Sequence, residues 1–179
     1  MIVAAATQKM IDFYKGNIHD IDHFLKVWAM AKTIGELEAL EPHTQEVLEL
    51  AAVVHDIACP LCREKYGNTN GKSQELESPP LVEAFFKDLP VERADVERIS
   101  WLVAHHHTYT DVEGLDYQIL LEADFLVNAG ESCYARSVID SFRQRVFRTS
   151  AGIQLLDSMY RDADGYWYGI YKGILGFMV

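Results

Sequence analysis

The apolar positions of this chain recur with the period of helices, and no stretch requires the two-residue period of a strand. The cleanest stripe lies at about residues 21–40, where His23, Val27, Met30, Ile34 and Leu37 follow one another in steps of 4, 3, 4 and 3. Before it, a first helix is expected over about residues 3–16, with Val3, Met10, Ile11, Phe13 and Tyr14 apolar and Gly16 as its stop. Asp20 is the candidate cap of the second helix. A third helix starts from a Thr44 cap and runs to about Ala58, its stripe being Leu48, Ala51, Ala52 and His55. Cys59-Pro60 ends it, so residues 60–78 read as the longest irregular stretch. Ser78-Pro79 then has the chemistry of a helix start, for a helix reaching about Asp88.

Further helices are expected at about 92–107, 117–129, 131–148 and 151–162, with a polar loop at 108–116. The first of these turns Val96, Ile99, Leu102 and Val103 inward. Its face continues to His106, while His105 and His107 fall to either side. The next places Asp124 among Leu120, Leu121 and Val127. The tail from Gly165 to Val179 is aromatic and Gly-rich and carries no assignable period. The expectation is one all-α domain over residues 1–179, a bundle of about seven or eight helices.

Composition agrees with a globular domain: 49% of residues are hydrophobic and 24% charged. The net charge of -11 argues against a nucleic-acid polymer or an anionic membrane as partner, because no general positive field is present to attract either. A small anion held by local cations remains compatible. Three cysteines, Cys59, Cys62 and Cys133, form no disulfide framework, and the start of the chain lacks the pattern of a signal peptide. A cytoplasmic protein is the expectation. Cys59-Pro60-Leu61-Cys62 has neither the βαβ surroundings of a redox motif nor a second Cys pair, and reads as small apolar filling. Arg136, Arg143, Arg145 and Arg148 read as a solvated face or as a contact in a homo-oligomer.

The apolar run Ala51-Ala52-Val53-Val54 halts at His55-Asp56. A single inward histidine is ordinarily a hydrogen-bonded core residue. Here four separate helices each direct an imidazole or a carboxylate inward: His23, His55 with Asp56, His106, and Asp124. Imidazoles mixed with carboxylates form a donor set for a divalent ion of Zn, Mn, Fe, Co or Ni, or of Mg where oxygen predominates.

A helix-borne His, then a His-Asp doublet on a core helix, then an Asp on a later helix resembles the HD-domain superfamily of metal-dependent phosphohydrolases. The matching residues are His23, His55-Asp56 and Asp124, over roughly residues 20–130. Ala-Ala-Val-Val-His-Asp-Ile-Ala resembles the family's His-Asp turn, and Leu-Glu-Ala-Asp-Phe-Leu its distal Asp helix.

The resemblance implies a metal site of His23, His55, Asp56 and Asp124, and hydrolysis of a phosphomonoester or phosphodiester bond in a small molecule, a nucleotide first among them. It implies further that Asp56 holds the attacking water, that His105 or His106 protonates the leaving oxygen or contacts phosphate, and that Glu75 or Glu77 orients water. Arg63, Lys65 and Lys72 are the cations near enough in sequence to bind the phosphate. Two departures limit what carries over. Ala58-Cys59 stands where a widespread variant has Gly-Lys, so that lysine's role does not transfer. The segment Gly71–Glu77 has no His, where members with a second metal usually place one. Two other readings of the scaffold remain open: a di-iron oxygenase, and a non-catalytic module that binds metal and nucleotide.

Overall fold

The computed structural model describes residues 2–161; the aromatic tail lies outside the described residues. Among the described residues there are nine α-helices and no strand: α1 (Ile2–Tyr14), α2 (Ile18–Leu37), α3 (Pro42–Val54), α4 (Cys59–Tyr66), α5 (Gly71–Phe86), α6 (Arg93–Val103), α7 (Leu115–Glu131), α8 (Arg136–Arg145) and α9 (Ser150–Leu156). A π-helical turn, Asp157–Arg161, follows α9.

Helices α3 and α7 form the centre. Every residue of α3 from Val47 to Val54 and every residue of α7 from Asp116 to Val127 is buried. A helix that is apolar nearly all round requires neighbours on all sides. Helix α2 packs along both α3 and α7, α1 and α6 cover α3, and α5 lies on α6. The α2 stripe is rotated slightly from its expected line. Ile21, His23, Phe24, Val27, Ala31 and Ile34 are buried, whereas Leu37 is 65% exposed where the helix outruns its partners.

Two caps differ from expectation. The Asn17 side chain, not Asp20, accepts a backbone N–H at the start of α2, and Asp20 is left free for another role. At α3 the Glu41 carboxylate accepts the N–H groups of His43 and Thr44, with Pro42 in the first turn.

The expected irregular stretch 60–78 is mostly helical, which accounts for the helix count exceeding seven or eight. Pro60 does end the run of α3, but it also occupies the first turn of α4, where a missing N–H costs nothing. Gly67 closes α4 at φ 71° and returns its N–H to the Arg63 carbonyl. Ser78-Pro79 lies inside α5 rather than at its start. Pro79 cannot donate to the Glu75 carbonyl four residues back, and the buried Ser78 hydroxyl donates to that carbonyl instead, at 3.4 Å. The true start is Asn70, whose side chain accepts the Ser73 N–H.

No helix among the described residues is long and apolar enough to cross a membrane. Cys59 and Cys62 are buried free thiols, and burial foremost keeps both protonated.

Helix α9 is fastened by Glu122, a carboxylate that is fully buried on α7. It accepts from the backbone N–H groups of Arg148 and Thr149, from the Gln118 amide and from the Thr149 hydroxyl. Gly152 stands against this group: a Cβ there would lie 2.0 Å from Glu122 Oε2 and 2.6 Å from Thr149 Oγ1. Because the carboxylate is tied on several sides, it cannot yield without losing bonds. Gly152→Ala is therefore expected to destabilise the fold by roughly 1–3 kcal/mol, measurable as a lower urea midpoint with unchanged slope.

Candidate metal centre

Each expected donor arrives from a different element. His23 is in the second turn of α2. His55 is the residue that ends α3, and Asp56 follows in the turn to α4. Asp124 lies midway along α7. The turn after α6 brings His106. His55 and His106 are fully buried, and His23 and Asp124 nearly so.

The imidazoles are oriented from behind. His55 Nδ1 donates to the Ala52 carbonyl at 2.8 Å, and His106 Nδ1 to the Val103 carbonyl at 2.7 Å. Those bonds leave the Nε2 lone pairs facing the cluster. His23 Nδ1 instead meets the Glu131 carboxylate at 2.8 Å, and Lys26 holds the other Glu131 oxygen at 2.9 Å. The Asp56 carbonyl receives the Tyr14 hydroxyl at 2.7 Å, which fixes the turn. Asn128 donates to Asp124 Oδ1 at 2.8 Å. Asp124, Asn128 and Glu131 are spaced i, i+4, i+7 on α7, so one helix face supplies a donor and two groups that orient donors. That spacing was readable from the sequence once Asp124 was suspected.

His23 Nε2 lies 3.1 Å from His55 Nε2, 3.5 Å from Asp56 Oδ2 and 3.4 Å from Asp124 Oδ1. His55 Nε2 lies 3.7 Å from Asp56 Oδ2 and 3.5 Å from Asp124 Oδ1. Four ligands placed tetrahedrally around an ion at about 2.0–2.1 Å have edges of about 3.3–3.4 Å. The five measured separations bracket that value.

A second group shares Asp56, whose other oxygen, Oδ1, is 3.5 Å from His106 Nε2. Asp56, His106 and His107 offer donor atoms within 4.8 Å of one another, as do His23, His55 and Asp56. The buried Nε2 atoms of His106 and His107 have no hydrogen-bond partner in the protein. Orphaned ring nitrogens beside carboxylates fit a bound cation. The donor set therefore suits one divalent ion and has room for a second. His107 was not among the expected site residues. It enters because the chain leaves the helical path at Ala104, so the expected i, i+4 geometry does not continue through 105–107.

Five other expected site residues stand elsewhere. His105 faces away, with Nδ1 on the Trp101 carbonyl at 2.6 Å and its ring stacked on Trp101. Glu75 accepts the His107 backbone N–H at 3.2 Å and the Thr108 hydroxyl at 2.9 Å, so it fastens the histidine turn to α5. Lys65 pairs with Glu77 at 2.6 Å on the surface, and Lys72 is exposed; neither lines the cavity over the cluster. Glu77, besides Lys65, accepts from Tyr66. Arg63 does line the cavity, held by Asp20 through two bonds of 2.6 and 2.8 Å.

Burial alone would lower the His23 pKa, but the Asp124 bond and the charges of Asp56 and Asp124 outweigh it and raise it to about 9. His106 is raised in the same way, through Asp56 against the cost of burial. Burial would raise Asp56 and Asp124, yet the surrounding imidazoles hold both well below the usual carboxylate range. His107 is pushed down to about 4, by burial first and His106 next. Without an ion, a proton on His23 offsets the carboxylate charge; a divalent cation competes for the same place.

A helical bundle built around such a cluster defines a class of its own, and the comparisons agree with it. The family model described as "HD domain" matches residues 20–138, and the chain belongs to the HD-domain family. The fold is similar to that of a predicted HD superfamily hydrolase from an uncultured Thermotogales bacterium. The TM-score is 0.62 at 17% identity, over 99% of this chain and 91% of that one. No curated protein matches the sequence.

Two outcomes follow. The raised His23 pKa stabilises the ion-free fold fully below the ordinary value of 6.5, and that contribution is lost as pH rises through about 9. Loading the ion-free protein at pH 7.5 should therefore release about one proton or more per ion, read by titration calorimetry in buffers of different ionisation enthalpy. Glu131→Ala, which removes the partner of His23 Nδ1, should weaken divalent-ion affinity roughly 10–100-fold, read by competition with a chelating dye.

Proposed function

We propose that this chain is a divalent-metal-dependent phosphohydrolase acting on a small phosphorylated molecule, a nucleotide by the character of its cavity. The observation that carries the reading is the position of the donor cluster. His23, Asp56 and Asp124 lie at the surface of a cavity of about 440 Å³ that also presents Arg63 and a set of aromatic rings.

The charge of that surface supports an ion. Arg63 is the only Lys or Arg lining the cavity among the described residues, and it is already shared with Asp20. An anionic ester approaching Asp56 and Asp124 would be repelled unless a cation lay between them. A bound divalent ion supplies Lewis acidity to a phosphoryl oxygen and acidifies a coordinated water. The chain's own residues do the rest. His55 already presents the Nε2 lone pair, and His23 presents one once its proton is displaced. Asp56, with Oδ2 toward His23 and His55 and Oδ1 toward His106, would help to hold such an ion and would accept a hydrogen bond from a nearby water. Arg63 offers the guanidinium edge not spent on Asp20 to a phosphate oxygen. His105, turned onto Trp101, takes no part in protonating a leaving group in this cavity.

The nucleotide reading rests on the aromatic lining. Phe125 and Phe142 stack at 3.9 Å, Tyr109 meets Phe142 edge-on at 5.0 Å, and Tyr134 is 5.7 Å from Phe125. Tyr109 and Tyr134 are partly exposed at the cavity. Flat faces beside an anion-accepting centre suit a base joined to a phosphate. The description of the Thermotogales protein as a predicted hydrolase agrees with the reaction class.

The room for two ions around Asp56 also favours a second reading, a di-iron oxygenase on the same scaffold. Two irons per chain after anaerobic purification, with a visible absorption band and no phosphate release, would select it.

His55→Ala and Asp124→Ala are each expected to lose bound metal and to reduce phosphate release from nucleotides by at least about a hundredfold. Full metal content and activity in both variants would overturn the proposal. Arg63→Ala should raise KM roughly tenfold or more, with a smaller change in kcat, because it removes a charge-assisted bond to the substrate.

A further inference from the structure

Gln74 is 4% exposed, on the first turn of α5, and lines the same cavity as Asp56 and His107. Its amide orientation is set. Nε2 donates to the Thr69 carbonyl at 2.9 Å, which leaves Oε1 as the free end. That oxygen is buried and has no hydrogen-bond partner. A buried amide oxygen without a donor costs about 1–3 kcal/mol, so a native structure rarely keeps one unless something outside the chain meets it.

The neighbours indicate what that is. Gly71, one turn before Gln74, lies so close to the His107 ring that a Cβ there would be 2.6 Å from Cγ. Glu75, the next residue, binds the backbone N–H of His107 and the Thr108 hydroxyl. The first turn of α5 is thus fastened onto the histidine turn. Three buried groups in this region lack partners: Oε1 of Gln74 and the Nε2 atoms of His106 and His107. His106 Nδ1 donates to Val103, so its Nε2 is a lone pair. Asp56 adds an anionic oxygen to this region, its Oδ1 3.5 Å from His106 Nε2.

We propose that Gln74 supplies a neutral oxygen ligand to a divalent cation held beside it by Asp56, His106 and His107. The inference rests on the metal reading of the cluster and not on the identity of the substrate. It has a consequence for affinity. The group containing His23 and His55 has two carboxylates, Asp56 and Asp124, whereas the group containing Gln74 has only the shared one. Hard cations bind more tightly where more anionic oxygen is supplied. The second ion is therefore the weaker, and its occupancy follows the free concentration of the metal.

The test is Mn²⁺ binding to ion-free protein, followed by electron paramagnetic resonance and titration calorimetry. Wild-type protein should show a tight and a weak class of site. Gln74→Ala, and Gln74→Asn, which withdraws the oxygen by one methylene, should weaken the weak class roughly tenfold or more. The tight class should stay unchanged, which also shows that the variants are folded. Gln74→His, which again offers a neutral donor, should restore the weak class. An unchanged weak class in Gln74→Ala and Gln74→Asn, or a single site in wild-type protein at saturating Mn²⁺, overturns the proposal. No Mn²⁺ uptake at all would overturn the metal reading with it. Uptake of two ions with no phosphate release from any substrate would contradict only the phosphohydrolase reading.

Discussion

Two carboxylates, Asp56 and Asp124, are held ionised among imidazoles at the centre of a helical bundle, and the rest of the structure answers to that fact. A carboxylate oxygen 3.5 Å from a cationic nitrogen gains about 4–5 kcal/mol at the effective dielectric suited to protein interiors. Without a counter-charge the same burial is a loss of several kcal/mol. The ion-free protein supplies the counter-charge as protons on histidine. That arrangement is adjustable in a way that an arginine or lysine partner would not be, since an imidazole gives up its proton near neutral pH and keeps a lone pair.

The helices exist in this arrangement to bring those groups together. Helices α3 and α7 are buried nearly all round, which a small domain tolerates only if other helices wrap them. The donors sit where the wrapping helices meet the core: His23 on α2, His55 and Asp56 where α3 ends, His106 where α6 ends, and Asp124 on α7. Two of the three oriented imidazoles are anchored on backbone carbonyls of their own turn, so they are pre-set by local geometry. His23 is different. Its anchor is Glu131, 108 positions away, and the contact forms only when α2 and α7 have packed. That makes His23 the donor whose orientation reports on tertiary structure.

Much of this was legible in the chain. The four-and-three spacing put His23 and His55 inward, and an acid within the Leu120–Val127 stripe could only face the core. What was not legible has physical reasons. Ser78-Pro79 looks like a helix start because proline lacks an N–H, but a serine hydroxyl donating to Glu75 lets the helix run through it. Among the three consecutive histidines the α6 face pointed to His106 but not to His107, because the helix ends at Val103 and the following turn brings His107 to the cluster and lays His105 on Trp101. Loop cations looked like phosphate ligands by proximity in sequence. Of the three, only Arg63 reaches the cavity, because Asp20, released from capping, holds it there. Gln74 gave no signal at all: an amide becomes informative only when its oxygen is found buried without a partner.

On this reading the cluster is a metal centre and not a self-neutralised group of buried acids and imidazoles. Anomalous diffraction from crystals of the protein as purified, recorded on either side of a transition-metal absorption edge, tests it most directly. A peak is expected, bounded by His23 Nε2, His55 Nε2, Asp56 and Asp124 and within bonding distance of each. Crystals grown with divalent ions present that show the four side chains ordered and no anomalous peak among them would contradict it.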